Sequence, residues 1–236
     1  MNSPGITEHW REPFPESETA NVLTAILRCG ARLKKRFDHE HENPLSDRLL
    51  ELLDTDPLFQ GGPLEVDREV PVYRRNGGRR TSKVAGKPDF RFIHTNYDRR
   101  IRARFEVEAK RLHAKSKSGC LEDGIGEYVT TARKKPEREQ GMMCFITGRY
   151  SHGLQAGAML GYVFDGNLAR AHASIAKSIG KHSDKLKLCS GGGLRVSNIV
   201  PGLSDVSESL HNLADEVDIA APAAGHFSIY HLLVAV

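Results

Sequence analysis

The chain has 236 residues, of which 39% are hydrophobic and 27% charged, with a formal net charge of +4. A chain of this size can bury a core of its own, and its composition is neither that of a disordered tail nor that of a membrane protein. No stretch approaches the roughly 18 uncharged apolar residues of a spanning helix, and the N-terminus has no basic region followed by an apolar run, so neither an anchor nor a signal peptide is expected.

The four cysteines (Cys29, Cys120, Cys144, Cys189) are widely separated and form no CxxC pair. They suggest neither a disulfide framework nor a zinc ribbon, and a reducing cytoplasm is the expected location. The charge is unevenly spread. Residues 71–120 carry fifteen Lys or Arg against four acids, a local charge of +11, which leaves −7 on the rest of the chain. Polyanions bind such a segment by releasing condensed counterions, and nucleic acid is the commonest polyanion in a cytoplasm.

Residues 1–16, with Pro4, Gly5, Pro13 and Pro15, read as an irregular arm, followed by one domain over 17–236. Ser17–Phe37 has apolar residues at three- and four-residue steps and basic residues in its last turn, which predicts a helix. A second helix is expected over Pro44–Asp54, with Leu45, Leu49 and Leu53 on one stripe. Beyond Gly61-Gly62-Pro63, the run Leu64, Val66, Val70, Val72 predicts an extended segment closing at Asn76-Gly77-Gly78. Asp89–His94 and Ile101–Lys110 flank the turn Asn96-Tyr97-Asp98-Arg99, giving three antiparallel strands. Helices are expected over Gly124–Arg133, Leu168–Lys181 and Leu203–Val217, and strands over Ala158–Phe164 and Phe227–Val236. Met142–Ile146 fits either, because a short apolar run has no decisive period. Gly191–Gly193 reads as a loop. The order of elements predicts an α/β fold with one central mixed sheet flanked by helices.

The chemistry concentrates in Lys87-Pro88-Asp89-Phe90-Arg91-Phe92 and Phe105-Glu106-Val107-Glu108-Ala109-Lys110. Strand alternation puts Phe105, Val107 and Ala109 on one face and Glu106, Glu108 and Lys110 on the other. A turn centred on Asp98 and Arg99 pairs residues whose numbers add to 197, and Asp89 with Glu108 is such a pair. Two adjacent carboxylates raise each other's pKa unless a cation lies between them, and hard oxygen ligands of this kind suit Mg2+ or Mn2+. Lys110, on the same face, can orient or help deprotonate a water, or neutralise charge on a phosphorane. Together these groups point to phosphodiester hydrolysis.

At these residues the chain resembles the PD-(D/E)xK nuclease superfamily, the restriction-endonuclease-like fold. Pro88-Asp89 stands for the first half of the motif and Glu108-Ala109-Lys110 for the second, with 18 residues between Asp89 and Glu108. The resemblance spans about residues 40–165. It implies a Mg2+- or Mn2+-dependent nuclease acting on nucleic acid, with DNA the expected substrate, and by analogy a role in bacterial or phage defence. It assigns Asp89 and Glu108 as metal ligands, Lys110 as the water-positioning or charge-stabilising residue, and an acid on the preceding helix. Glu42 matches that acid best, with Glu40, Asp47 and Glu51 as alternatives. Many members carry Gln and Tyr on the helix after the lysine. Here the glutamine is missing, and Tyr128 is the candidate nucleic-acid contact from that helix. Arg74, Arg75, Arg79, Arg80, Arg99 and Arg100 are the candidate phosphate contacts. One such site cuts one strand, so duplex cleavage calls for a homodimer or a partner protein.

Two rival readings stand beside this one: a nucleic-acid-binding module that keeps the fold without catalysis, and an assembly subunit whose charged strand faces water. Other signals carry less. His39 and His41 have no zinc-ligand partners at suitable spacing, the glycine runs lack the Lys-Ser or Lys-Thr of a P-loop, and Ser151-His152 has no elbow motif. His113, close after Lys110, could reach a phosphate but is expected as a surface residue, and His211, His226 and His231 as packing or surface residues.

Overall fold

The computed structural model describes residues 13–76, 79–98, 101–116, 118–132, 135–150, 154–213 and 226–236. Helix α1 (Glu16–Gly30) buries Val22, Leu23, Ala25 and Ile26, and α2 (Glu42–Asp54) buries Leu45, Leu49 and Leu53. Then come β1 (Leu64–Arg68), β2 (Val72–Asn76), β3 (Arg79–Gly86), β4 (Phe90–Asn96) and β5 (Ile101–Leu112). Short pieces follow: β6 (Ala114–Lys115), β7 (Leu121–Glu122), α3 (Ile125–Val129), β8 (Thr131–Ala132), β9 (Lys135–Glu139) and α4 (Met142–Ile146). The chain ends with β10 (Ala156–Val163), α5 (Leu168–Lys181), β11 (Arg195–Val196), β12 (Val206–His211) and β13 (Phe227–Ala235).

Seven strands form one mixed sheet in the order β1-β4-β5-β10-β13-β12-β11. β1, β4 and β5 are antiparallel neighbours, while β10 runs parallel to both β5 and β13. Strand alternation divides the core into two layers. Phe90, Phe92, Phe105, Val107, Ala109, Leu160 and Leu232 face α1 and α2. Leu112, Met159, Val163, Phe227 and Ile229 face α3, α4 and α5. Both faces are therefore covered, as a sheet with parallel central strands requires. Each leucine of the α2 stripe contributes roughly 1.5–3 kcal/mol by leaving water.

The structure departs from the sequence expectations in four places. The first helix stops at Gly30, not Phe37. There an added Cβ would meet Val234 Cγ2 at 2.7 Å, and the next residues close with short-range bonds, Arg32 N–H to Cys29 O and Leu33 N–H to Gly30 O. The helix expected over Gly124–Arg133 is only Ile125–Val129, because the β-branched Thr130 and Thr131 carry the chain into β8, paired with β9. The extended segment expected from Leu64 to the Asn76-Gly77-Gly78 turn is split into β1 and β2 at Glu69, whose φ of +50° breaks the extended backbone.

The fourth difference is the acidic helix expected over Leu203–Val217. Within it the structure has strand β12, antiparallel to β13 with Val206 opposite Leu232. Leu203, Val206, Leu210 and Leu213 mimic a helical stripe, but pairing covers the free edge of β13, and local periodicity yields to that demand. The strand also places Ser209 Oγ 2.8 Å from His211 Nε2 and 2.9 Å from His231 Nε2, and His231 Nδ1 lies 3.1 Å from Tyr128 Oη. This buried chain of polar groups is satisfied from end to end, since His211 Nδ1 also donates to Leu186 O at 2.7 Å.

Two substitutions test the layering by denaturant unfolding. Leu49→Ala should cost about 2–5 kcal/mol as a core truncation. Gly124 has φ +68°, and a Cβ there would lie 2.0 Å from the Arg111 carbonyl oxygen. Gly124→Ala should therefore cost about 2 kcal/mol or more, and a change within about 0.5 kcal/mol would contradict this turn.

Candidate active site

The β4–β5 hairpin holds the constant of 197 throughout, from Asn96 opposite Ile101 to Phe90 opposite Val107. There the strand pairing ends. The next backbone donor of β5 on this edge, Ala109 N–H, is taken by a side chain: Asp89 Oδ2 accepts from it at 2.7 Å. Asp89 thus sits where β4 parts from β5, beside Glu108.

Lys110 joins the acids of this gap. Its Nζ donates to Glu108 Oε1 at 2.7 Å and to the Ala109 carbonyl at 2.7 Å, and lies 3.4 Å from Glu42 Oε1. Glu42 comes from the first turn of α2, where the helix dipole favours an acid. Among the sequence alternatives, Glu40 is bound by Arg48 at 2.8 Å and by Arg36 N–H, Asp47 pairs with Arg68, and Glu51 is exposed. Glu42 alone of the four meets the lysine.

The charges of β5 are buried. Glu106 is 0% exposed, and Glu108 and Lys110 are 6% exposed. That removes the physical premise of a charged strand standing in water. Glu106 is enclosed with its cross-strand partner Arg91 at 2.9 Å and Arg104 at 3.6 Å, which gives it a structural counter-charge. Glu108 shares Lys110 with Glu42 and lies beside Asp89.

Burial, and then the nearby Glu108 carboxylate, push the Asp89 carboxyl up to about 8, although Lys110 and the Ala109 hydrogen bond act the other way. Burial alone would lower the Lys110 amine. Glu108, Glu42 and Asp89 outweigh it and hold the amine above its ordinary value, so Lys110 is an ammonium.

The residues fit a divalent cation on two observations. Glu108 Oε2 is buried without a hydrogen-bond partner, and Asp89 resists ionisation beside Glu108. A hard cation between the two carboxylates relieves both. Among the described residues no three His, Cys, Asp or Glu side chains converge as a cage, but Mg2+ usually takes only one or two carboxylates and keeps water elsewhere.

Sequence reasoning missed the wall of this site. Tyr150, 4% exposed, donates from Oη to the Lys87 carbonyl at 3.1 Å, and its ring packs on Gly86, where a Cβ would lie 2.5 Å from Cε1. It holds the segment that delivers Asp89. The buried Cys144 thiol adjoins it, and burial, followed by the Glu108 charge, raises both pKa values. The Tyr150–Lys87 contact spans 63 positions and has no local spacing signal.

Other expectations are corrected. Tyr128 is fully buried and bonded to His231, so it is a core residue and not a nucleic-acid contact. His113 is 5% exposed, with Nδ1 3.4 Å from Asp165 and 3.3 Å from Arg170 Nε, where a surface histidine was expected. Arg99 and Arg100 lie outside the described residues. Arg74, Arg75, Arg79 and Arg80 lie on the backbone of β2 and β3, and their side chains are outside the description. Among the described residues no helix is long and apolar enough to cross a membrane. No known protein family matches the chain, and no curated protein and no solved structure is significantly similar to it.

Asp89 supplies a test of this electrostatic picture. It binds its proton more tightly folded than unfolded, so its contribution to stability is intact at pH values below about 4 and is lost as pH rises toward 8. Asp89→Asn removes that loss and can still accept from Ala109 N–H. Thermal unfolding should show a higher Tm for the variant at pH 8 and a smaller gain at pH 5. A lower Tm at pH 8 would mean that Lys110 makes the anion favourable.

Proposed function

We infer that this chain is a metal-dependent nuclease that hydrolyses phosphodiester bonds, with DNA its expected substrate, on a restriction-endonuclease-like fold. The observation that carries this reading is the convergence of Glu42, Asp89 and Glu108 on Lys110 at the parting of β4 and β5, with one Glu108 oxygen buried and unpartnered. The hairpin register, the helix acid and the parallel β5–β10 pair support it together.

Asp89 and Glu108 are the groups that would hold Mg2+ or Mn2+, which supplies positive charge to the phosphoryl oxygens and acidifies water. The Ala109 N–H fixes Asp89, and Tyr150 fixes the segment before it. Lys110, held as an ammonium, can donate to a water or to a phosphoryl oxygen and offset charge developing there. It is poorly suited to take a proton, which narrows its role to orientation and charge. Glu42 keeps the lysine in place from the far side and is an outer ligand in this reading. Cutting both strands of a duplex calls for a homodimer or a partner protein.

Two measurements test the proposal. Mg2+ or Mn2+ at about 100 times its Kd should stabilise the folded chain by about 2.7 kcal/mol, and Glu108→Gln should abolish that shift in thermal unfolding. Incubation with plasmid, linear and single-stranded DNA should give cleavage only when the cation is present. Lys110→Ala should slow it by a factor of about 100 or more, measured at a temperature below the variant's own lowered unfolding transition. Cleavage by Lys110→Ala at the wild-type rate would remove the site assignment. Cation-insensitive, salt-sensitive DNA binding without cleavage would leave a non-catalytic binding module.

A further inference from the structure

The antiparallel ladder between β1 and β4 reads as an ordinary hairpin stem: Leu64 pairs with His94 and, at its last step, Arg68 with Phe90. What it encloses is not a turn but residues 69–89. Most of that excursion is β2 and β3, which among the described residues pair with each other and form a two-stranded sheet apart from the seven-stranded one. Residues 72–86 contain Arg74, Arg75, Arg79, Arg80 and Lys83 and no acid, so the ribbon carries +5 by sequence.

The root of the ribbon is fixed. Glu69 N–H and Arg68 Nε both reach the Asp89 carbonyl at 3.4 Å, and the Arg68 guanidinium lies over the Phe90 ring at 5.6 Å. At the other strand's exit, Tyr150 packs on Gly86 and bonds Lys87. The last residue of the excursion is Asp89 itself. The base of the ribbon therefore adjoins the carboxylate pair.

We propose that the β2–β3 ribbon is a docking arm that enters the major groove of duplex DNA and so delivers a phosphodiester to the site at Asp89 and Glu108. The placement of the phosphate rests on the nuclease reading; the groove binding stands without it. A two-stranded ribbon fits the B-form major groove, which is about 12 Å wide, whereas the A-form RNA major groove is too deep and narrow to admit it. Two-stranded ribbons twist strongly, and the register shifts around Tyr73 add bend, which lets the arm follow a helical groove. Its sequence charge of +5 suits a groove lined by phosphates. Val84, opposite Tyr73 and 43% exposed, offers the apolar surface that meets a thymine methyl group.

The test measures binding without divalent cation, so that cleavage does not enter. Fluorescence anisotropy with a labelled duplex DNA, a duplex RNA and a single-stranded DNA of one sequence should show the DNA duplex bound about tenfold tighter than either other ligand. Replacing the cross-strand pair, Arg75→Ser with Arg80→Ser, should abolish that preference and flatten the salt dependence by up to about 0.9 log units per lost phosphate contact, while the folding transition is kept. Methyl green, a major-groove dye, should compete, and the minor-groove ligand netropsin should not. Equal affinity for the RNA duplex, an unchanged double variant, or displacement by netropsin alone would overturn the arm. These outcomes are independent of catalysis. A protein that shows the preference but never cleaves keeps the arm and loses the nuclease reading, and one that cleaves without the preference does the reverse.

Discussion

Lys110 is the charge on which the centre of this molecule depends. Its ammonium is buried with Glu108 and within reach of Glu42, and Asp89 lies beside the same group. Several unpaired charges in a protein interior are prohibitively costly, whereas a cluster with one shared counter-ion is tolerable. The compensation is incomplete, because three carboxylates face one ammonium. One result is a raised Asp89 pKa, and another is an unpartnered Glu108 oxygen. Excess negative charge of this kind is what attracts a cation.

The sheet creates that incompleteness. The β4–β5 ladder stops at Phe90 and Val107 while β5 continues alongside β10, so the strands part where the acids are. On one face the phenylalanines bury against α1 and α2, and this fixes the register. A slip of one residue would turn Phe90 and Phe92, or Phe105 and Val107, out of the core. The apolar face therefore aligns the polar one. Glu106 lies two residues away on the same face of β5 and differs in having two arginines, Arg91 and Arg104, at hand, although burial raises its pKa as well.

The same economy of faces explains the far half of the sheet. β12 pairs with β13 and contributes Ser209 and His211 to a closed polar chain with His231 and Tyr128. Burial holds both histidines well below their ordinary pKa, to about 4 for His211 and about 3 for His231. They are neutral, satisfied and away from the acid–lysine gap. Tyr128 is part of this core chain, although its place after the lysine suggested an outward role.

Much of the centre was legible in the sequence because strand parity and hairpin register are local. Alternation in Phe105–Lys110 and the turn at Asp98 and Arg99 were enough to put Asp89 beside Glu108, and the leucine stripe of α2 was enough to orient its helix. Three things required the tertiary structure. Glu42 meets Lys110 across 68 positions, while Glu40 and Asp47 are taken by Arg48 and Arg68. Tyr150 reached Lys87 across 63 positions, a contact with no local signature. The strand β12 carried a helical spacing, and the open edge of β13 decided its conformation. Sequence determines patterns within one element; which faces meet is settled by the burial that several elements achieve together.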